Sequence, residues 1–197
     1  IADFALEAHD THHPIGAGFY YEDQKPESKR RADWFRGERL ARYSFLGRDP
    51  EALVRALDGC GAVVHLAQIG AERGGQTYEA INIGYTERVL EDCRHAGVLR
   101  VVYFSGLGVA RYGMAPRCSN PYFLSKLAAE TTLFRSGLEG VVFRPSFVVG
   151  PGDAFVPAVL RAMETGEVEL PGDGSYRMQP IAVEDAADSV LAAIDRP

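Results

Sequence analysis

Tyr122 and Lys126 stand four residues apart in the segment NPYFLSKLAAE. In a helix this spacing puts both side chains on one face, one turn apart. A phenol of ordinary pKa is a poor acid or base at neutral pH. A neighbouring ammonium favours the phenolate and is expected to bring that pKa down. The pair could then pass a proton to or from a substrate hydroxyl or carbonyl oxygen. The same spacing also describes an ordinary solvated helix face, so the surrounding elements have to decide.

Those elements read as alternating strands and helices. Pro50–Leu57 reads as a helix, with Asp49 as N-cap, Pro50 at the first position and Gly59 after the end. Residues 62–67 (AVVHLA) and 101–105 (VVYFS) are short apolar runs, and so buried strands, and Val141–Arg144 is a third. Tyr78–His95 has helical spacing through Ile81, Tyr85, Val89 and Leu90, and Gly97 follows as a stop. Pro121–Arg135, Phe155–Thr165 and Val183–Ile194 are further helices. Continuous apolar strands separated by helices predict βαβ units and a parallel sheet buried on both faces. The fold class expected is α/β, a Rossmann-like doubly wound parallel sheet. In such a sheet ligands sit beyond the carboxyl ends of the strands. Ala67-Gln68, Ser105-Gly106 and Pro145-Ser146 each follow a predicted strand, and Tyr122 opens a following helix. The candidates therefore converge on one edge.

Residues 1–48 are irregular, without a sustained period of 2 or 3.6, and read as loop with one short charged helix, a candidate degenerate first part of the Rossmann unit ahead of the core and partial substrate-binding region at 49–197. The 197 residues carry 46% hydrophobic and 24% charged side chains and a net charge of −6. That balance excludes disorder and coiled coil, and the acidic charge argues against nucleic acid as a partner. No run approaches the length of a membrane span. Cys60, Cys93 and Cys118 show no paired or zinc-like spacing, which suits a reducing, cytoplasmic setting. His9, Asp10, His12 and His13 read as a solvated cluster, so no metal site is expected. His65 reads as a core histidine, Asp153 as turn chemistry, Lys29-Arg30-Arg31 as charged surface, and Glu184-Asp185 as the first turn of the last helix.

The ordered set AVVHLA, INIGYTERVLEDCRHAGVLRVVYFS, NPYFLSKLAAE, VVFRPSFVVGPGD and LPGDGSYRMQPIAVEDAA resembles a known family. It looks like the extended or atypical short-chain dehydrogenases/reductases, the NAD-dependent epimerase/dehydratases. Within them it is similar to the subgroup of the NAD(P)H-binding complex I accessory subunit. The resemblance runs from Asp49 to Ile194. It implies NAD or NADP as cofactor and hydride transfer at a carbinol or carbonyl carbon. Tyr122 would be the acid/base, Lys126 would bind the nicotinamide ribose and tune Tyr122, and Ser105 would assist. Leu66, Ala67, Gln68, Asn82, Pro145 and Ser146 would line the cofactor. Phe147, Val148 and Arg177 would face a small-molecule substrate, a nucleotide sugar or another carbonyl or carbinol compound. Tyr78–His95 and Pro121–Arg135 match helices that pair two subunits, which implies a homodimer.

The sequence departs from the family pattern in three places. No GxxGxxG or GxGxxG is present, and Gly16-Ala17-Gly18 follows no strand. Phe45-Leu46 stand where Gly-Asp is usual, and Leu107 where a helper serine or threonine is usual. The core is expected to be incomplete at the N-terminus and short at the C-terminus. These departures keep two rivals open: a non-catalytic NAD(P)H-binding or assembly protein, and a shortened relative that binds no dinucleotide.

Overall fold

The computed structural model describes residues 50–111, 119–166, 173, 175 and 177–195. Helix α1 (Pro50–Leu57) leads to strand β1 (Ala62–His65). A π-helical segment (Glu79–Tyr85) runs into helix α2 (Thr86–Ala96). Strand β2 (Arg100–Phe104), a 3-10 turn (Leu107–Arg111), helix α3 (Pro121–Arg135) and strand β3 (Glu139–Phe143) follow. The chain then forms β4 (Val148–Val149), helix α4 (Phe155–Thr165), β5 (Ile181–Ala182) and helix α5 (Val183–Asp195).

Strands β1, β2 and β3 form a parallel sheet in that order, with His65 beside Tyr103 and Tyr103 beside Val142. Alternation sends Val63, His65, Val101, Tyr103 and Val142 to one face. There Val101 and Tyr103 join Leu53, Leu57, Val89, Leu90, Cys93, Ala129 and Leu133 in one buried cluster. Gly140 lies on the same face because a Cβ there would stand 2.9 Å from Leu133, so α3 can close on β3. On the opposite face the Arg100 guanidinium reaches the carbonyls of Ala193 and Ile194 at the end of α5, where a cation suits the helix dipole. A separate parallel pair joins β4 to β5.

The predicted parallel α/β arrangement is therefore present. Pro50–Leu57, Pro121–Arg135 and Phe155–Thr165 occupy the residues expected of them. Helix α2 ends at Gly97, left-handed at φ 76°, with the Val98 amide returned to the Cys93 carbonyl. Three strand limits differ. β1 stops at His65, β2 stops at Phe104, and β3 covers Glu139–Phe143 rather than Val141–Arg144. In each case the ladder ends where the chain turns out of the sheet into loop residues. Leu66-Ala67, Ser105 and Arg144 are therefore strand-end residues. The predicted helix over Tyr78–His95 is a π-segment followed by an α-helix, and the short pair β4/β5 was not foreseen. No helix among the described residues is long and apolar enough to cross a membrane. The unit assigned to residues 1–48, the His9–His13 cluster, Gly16–Gly18, Lys29–Arg31, Phe45-Leu46, the Asp49 cap and Cys118 lie outside the described residues.

Candidate active site

Helix α3 starts where it does for local reasons. Asn120 is extended, its side-chain oxygen accepts the Tyr122 amide at 3.0 Å, and Pro121 takes the first helical position, where no N–H is needed. The first turns of α3 therefore stand at the carboxyl end of the sheet. Lys126 Nζ donates to the Phe104 carbonyl, the last residue of β2, and to Gln68 Oε1, just beyond β1. The ammonium also lies 4.2 Å from the Tyr103 ring centroid, a cation–π distance. Lys126 is 0% exposed, and burial pulls its pKa down to about 7, a fall that nearby Glu130 partly opposes.

Tyr122 is half-buried one turn earlier. Its ring packs 5.9 Å from Tyr78 and 5.2 Å from Phe123. Its pKa is raised, by burial first and by Tyr78 second. This corrects the expected lowering by Lys126. The helical spacing is as predicted, but the ammonium is committed to Gln68 and Phe104, and desolvation of the phenolate wins. At neutral pH Tyr122 is therefore a hydroxyl that holds its proton.

One buried side chain fastens the loop after β1 to α3. Asn82 is 0% exposed. Its Oδ1 accepts the Ile69 amide at 2.8 Å, and its Nδ2 donates to the Ile69 carbonyl and to Ser125 Oγ. Ser125 in turn donates to the Tyr122 carbonyl at 2.7 Å. Both N–H donors and one acceptor position of the Asn82 amide are spent inside the protein, so it orders the Gln68 loop and Tyr122 from behind. It sits within the π-segment, a winding often found at functional sites.

Ser105 follows Phe104 directly and is buried. Its amide donates to the Phe143 carbonyl at 2.7 Å, but its Oγ has no hydrogen-bond partner among the described residues. Leu107, at the helper position, is 40% exposed and can offer only its backbone, whose N–H donates to the Pro145 carbonyl at 2.8 Å. That bond holds Pro145 and Ser146 beside the end of β2. Leu66 and Ala67 lie in the same loop as Gln68. Phe147 is exposed and stacks on Phe155 at 4.5 Å, Val148 is in β4, and Arg177 is exposed. Phe147 and Val148 belong to the β4/β5 side, where the Ile181 amide donates to the Phe147 carbonyl at 2.9 Å.

Two features went unnoticed in the sequence. Glu130, 2% exposed and one turn beyond Lys126, forms a two-pronged ion pair with Arg144 at the end of β3. The only sequence cue was the helical spacing of Lys126 and Glu130, which put both on the same face. Asp153, read as turn chemistry, also accepts the Phe155 and Val156 amides and so starts α4. Those bonds hold its pKa below the usual carboxylate value. His65 is buried as expected: its Nε2 lies 2.9 Å from Thr86 Oγ1, and burial lowers its pKa to about 3. Thr86 spends its single proton on the Asn82 carbonyl at 2.8 Å, so His65 Nε2 must be the donor to Thr86.

Comparison with known proteins agrees with this geometry. Residues 23–197 match the model of the family described as "NAD dependent epimerase/dehydratase family". The match extends the likeness upstream from Asp49 into the irregular segment. The 2-alkyl-3-oxoalkanoate reductase of Stenotrophomonas maltophilia is 31% identical, over 71% of this chain and 48% of that protein. The Arabidopsis thaliana NADH dehydrogenase [ubiquinone] 1 alpha subcomplex subunit 9 is 25% identical, over 75% of this chain and 36% of that protein. Among solved structures, MoeE5 in complex with UDP-glucuronic acid and NAD superposes with a TM-score of 0.59 at 32% identity, covering 74% of this chain and 56% of that one. The chain spans about half the length of the curated relative it matches first.

Proposed function

Because this chain belongs to the NAD dependent epimerase/dehydratase family, we propose that it works as an NAD(P)-linked oxidoreductase or epimerase-type protein, with Tyr122 moving the oxygen-bound proton. The observation that carries this reading is the placement of Lys126. A wholly buried ammonium is held at the ends of β1 and β2, one helical turn from a half-buried tyrosine hydroxyl. The residues fit a dinucleotide: Ser105 Oγ is a buried polar atom without a partner among the described residues, next to the carbonyl that holds Lys126. Bound there, the nicotinamide supplies the hydride chemistry.

The protein's own part follows from its protonation state. As a carbonyl carbon takes up hydride, its oxygen gains the electron pair of the C=O bond and needs a proton. Tyr122, its pKa raised, holds that proton and can give it. Lys126, held at the ends of β1 and β2, would bind the nicotinamide ribose. The reading includes Leu66, Ala67, Gln68, Pro145 and Ser146 as cofactor lining, and Asn82 as the residue that orders them. Phe147, Val148 and Arg177 stand on the substrate side. Substrates proposed are carbonyl or carbinol compounds, nucleotide sugars among them; MoeE5 was solved with one. Pairing of two copies through α2 and α3 and a cytoplasmic setting are parts of the same reading.

The Tyr122→Phe variant tests it. Turnover should fall about 10²–10⁴-fold while calorimetric cofactor affinity is retained. Undiminished turnover refutes the mechanism. Leu107 favours a second reading, a non-catalytic NAD(P)H-binding protein, because its side chain cannot donate to a substrate oxygen. Cofactor binding without oxidation of NADPH by any of a panel of carbonyl compounds would select that reading.

A further inference from the structure

Lys126 is 0% exposed, yet it is the cation through which the proposed site would hold a ligand. A ligand hydroxyl can reach Nζ only if a group now touching it moves. Among the described residues, two acceptors and one ring face Nζ. The Phe104 carbonyl is fixed at the end of β2, the central strand of the three-stranded sheet. The Tyr103 ring is 2% exposed and part of the core cluster. Gln68 alone is a half-buried side chain on a loop, beyond the end of β1. Its backbone neighbour Ile69 is clamped by Asn82, so the loop stays in place while the Gln68 side chain can turn.

We propose that Gln68 is a latch on Lys126: in the empty protein its amide oxygen takes the donor that a bound ligand's hydroxyl must use, and it swings out when that ligand enters. The proposal rests on the dinucleotide reading above and deepens it. It replaces the lining role given to Gln68 above: the side chain competes with the cofactor for Lys126, where a lining residue would add to cofactor affinity. The chemistry is an exchange of acceptors. An ammonium has three donors; here one goes to a backbone carbonyl that cannot leave, and another side of Nζ faces the buried Tyr103 ring. The donor held by Gln68 is the exchangeable one.

Two substitutions separate a latch from a lining. Gln68→Met keeps length and removes the acceptor, so Lys126 is released without a new partner. Gln68→Glu keeps length and holds the ammonium more tightly, because a charged acceptor bonds more strongly than a neutral one. Calorimetric titration with NAD and with NADP should show binding about tenfold tighter in Gln68→Met and about tenfold weaker in Gln68→Glu. NMR titration of Lys126 in the empty protein gives a readout free of cofactor: Gln68→Glu should move its midpoint up and Gln68→Met should not. Weaker binding in both variants, or equal binding in all three proteins, overturns the latch and leaves the dinucleotide reading intact. An unmoved Lys126 midpoint in Gln68→Glu also overturns the latch, since it means the contact is absent. No binding by the wild type or by either variant overturns the dinucleotide reading, and the latch with it.

Discussion

His65 should make the fold acid-sensitive, and the size of the effect follows from its surroundings. In the folded chain the imidazole is neutral, because burial first and Lys126 second lower its pKa from 6.5 to about 3. In the unfolded chain it titrates at its ordinary value. A histidine with a depressed folded pKa stabilises the fold fully above the unfolded pKa. That stability is lost as pH falls, through the window from about 6.5 to about 3. Between pH 7 and 5 the unfolded imidazole becomes almost fully protonated, while the folded one stays neutral. Integrating that difference gives a loss of about 2 kcal/mol from this one side chain. Urea unfolding of wild type and His65→Gln at both pH values isolates it. Glutamine keeps a donor for Thr86 Oγ1 and has no proton to gain, and its lost stacking on Tyr103 lowers stability at both pH values alike. The variant's stability should therefore fall by about 2 kcal/mol less than wild type over this interval. An identical fall in the two proteins would mean that His65 is not held neutral, and would refute the reasoning.

Two stability predictions accompany it, beside the tests of Tyr122 and Gln68 already given. Asn82→Ala strips partners from both the amide and the carbonyl of Ile69, a residue that is 1% exposed. Stranding these groups should cost about 2–4 kcal/mol in urea unfolding, and a cost below about 1 kcal/mol would show that the clamp is dispensable. Gly108→Ala places a Cβ 2.5 Å from Phe123 Cζ, so the ring or the 3-10 turn must shift. A lowered melting temperature, equivalent to about 1–3 kcal/mol, is expected, and an unchanged one would mean that the ring moves freely.

The elements that built the fold were legible because each carried a local physical signal. Helical spacing marks Pro121–Arg135, Gly97 marks a helix stop, and the apolar runs around Val63 and Val101 mark buried strands. Tyr122 and Lys126 were legible as a helical pair because a spacing of four fixes a shared face. The β4/β5 pair was not legible, since each strand has only two residues and their partnership spans more than thirty positions. The π-winding before α2 was equally silent, because it adds a residue to a turn without altering the apolar pattern enough to show.

The sequence by itself determined that a buried parallel sheet alternates with helices, and that Tyr122 and Lys126 share a helix at its edge. Only the tertiary structure decided what those side chains do to each other. Lys126 is turned into Gln68, the Phe104 carbonyl and the Tyr103 ring, and Tyr122 lies against Tyr78. A pKa depends on what surrounds the charge, and those surroundings come from residues 22 to 58 positions away in the chain. Hence the spacing alone suggested a phenol made more acidic, whereas the packed site desolvates it and leaves it protonated.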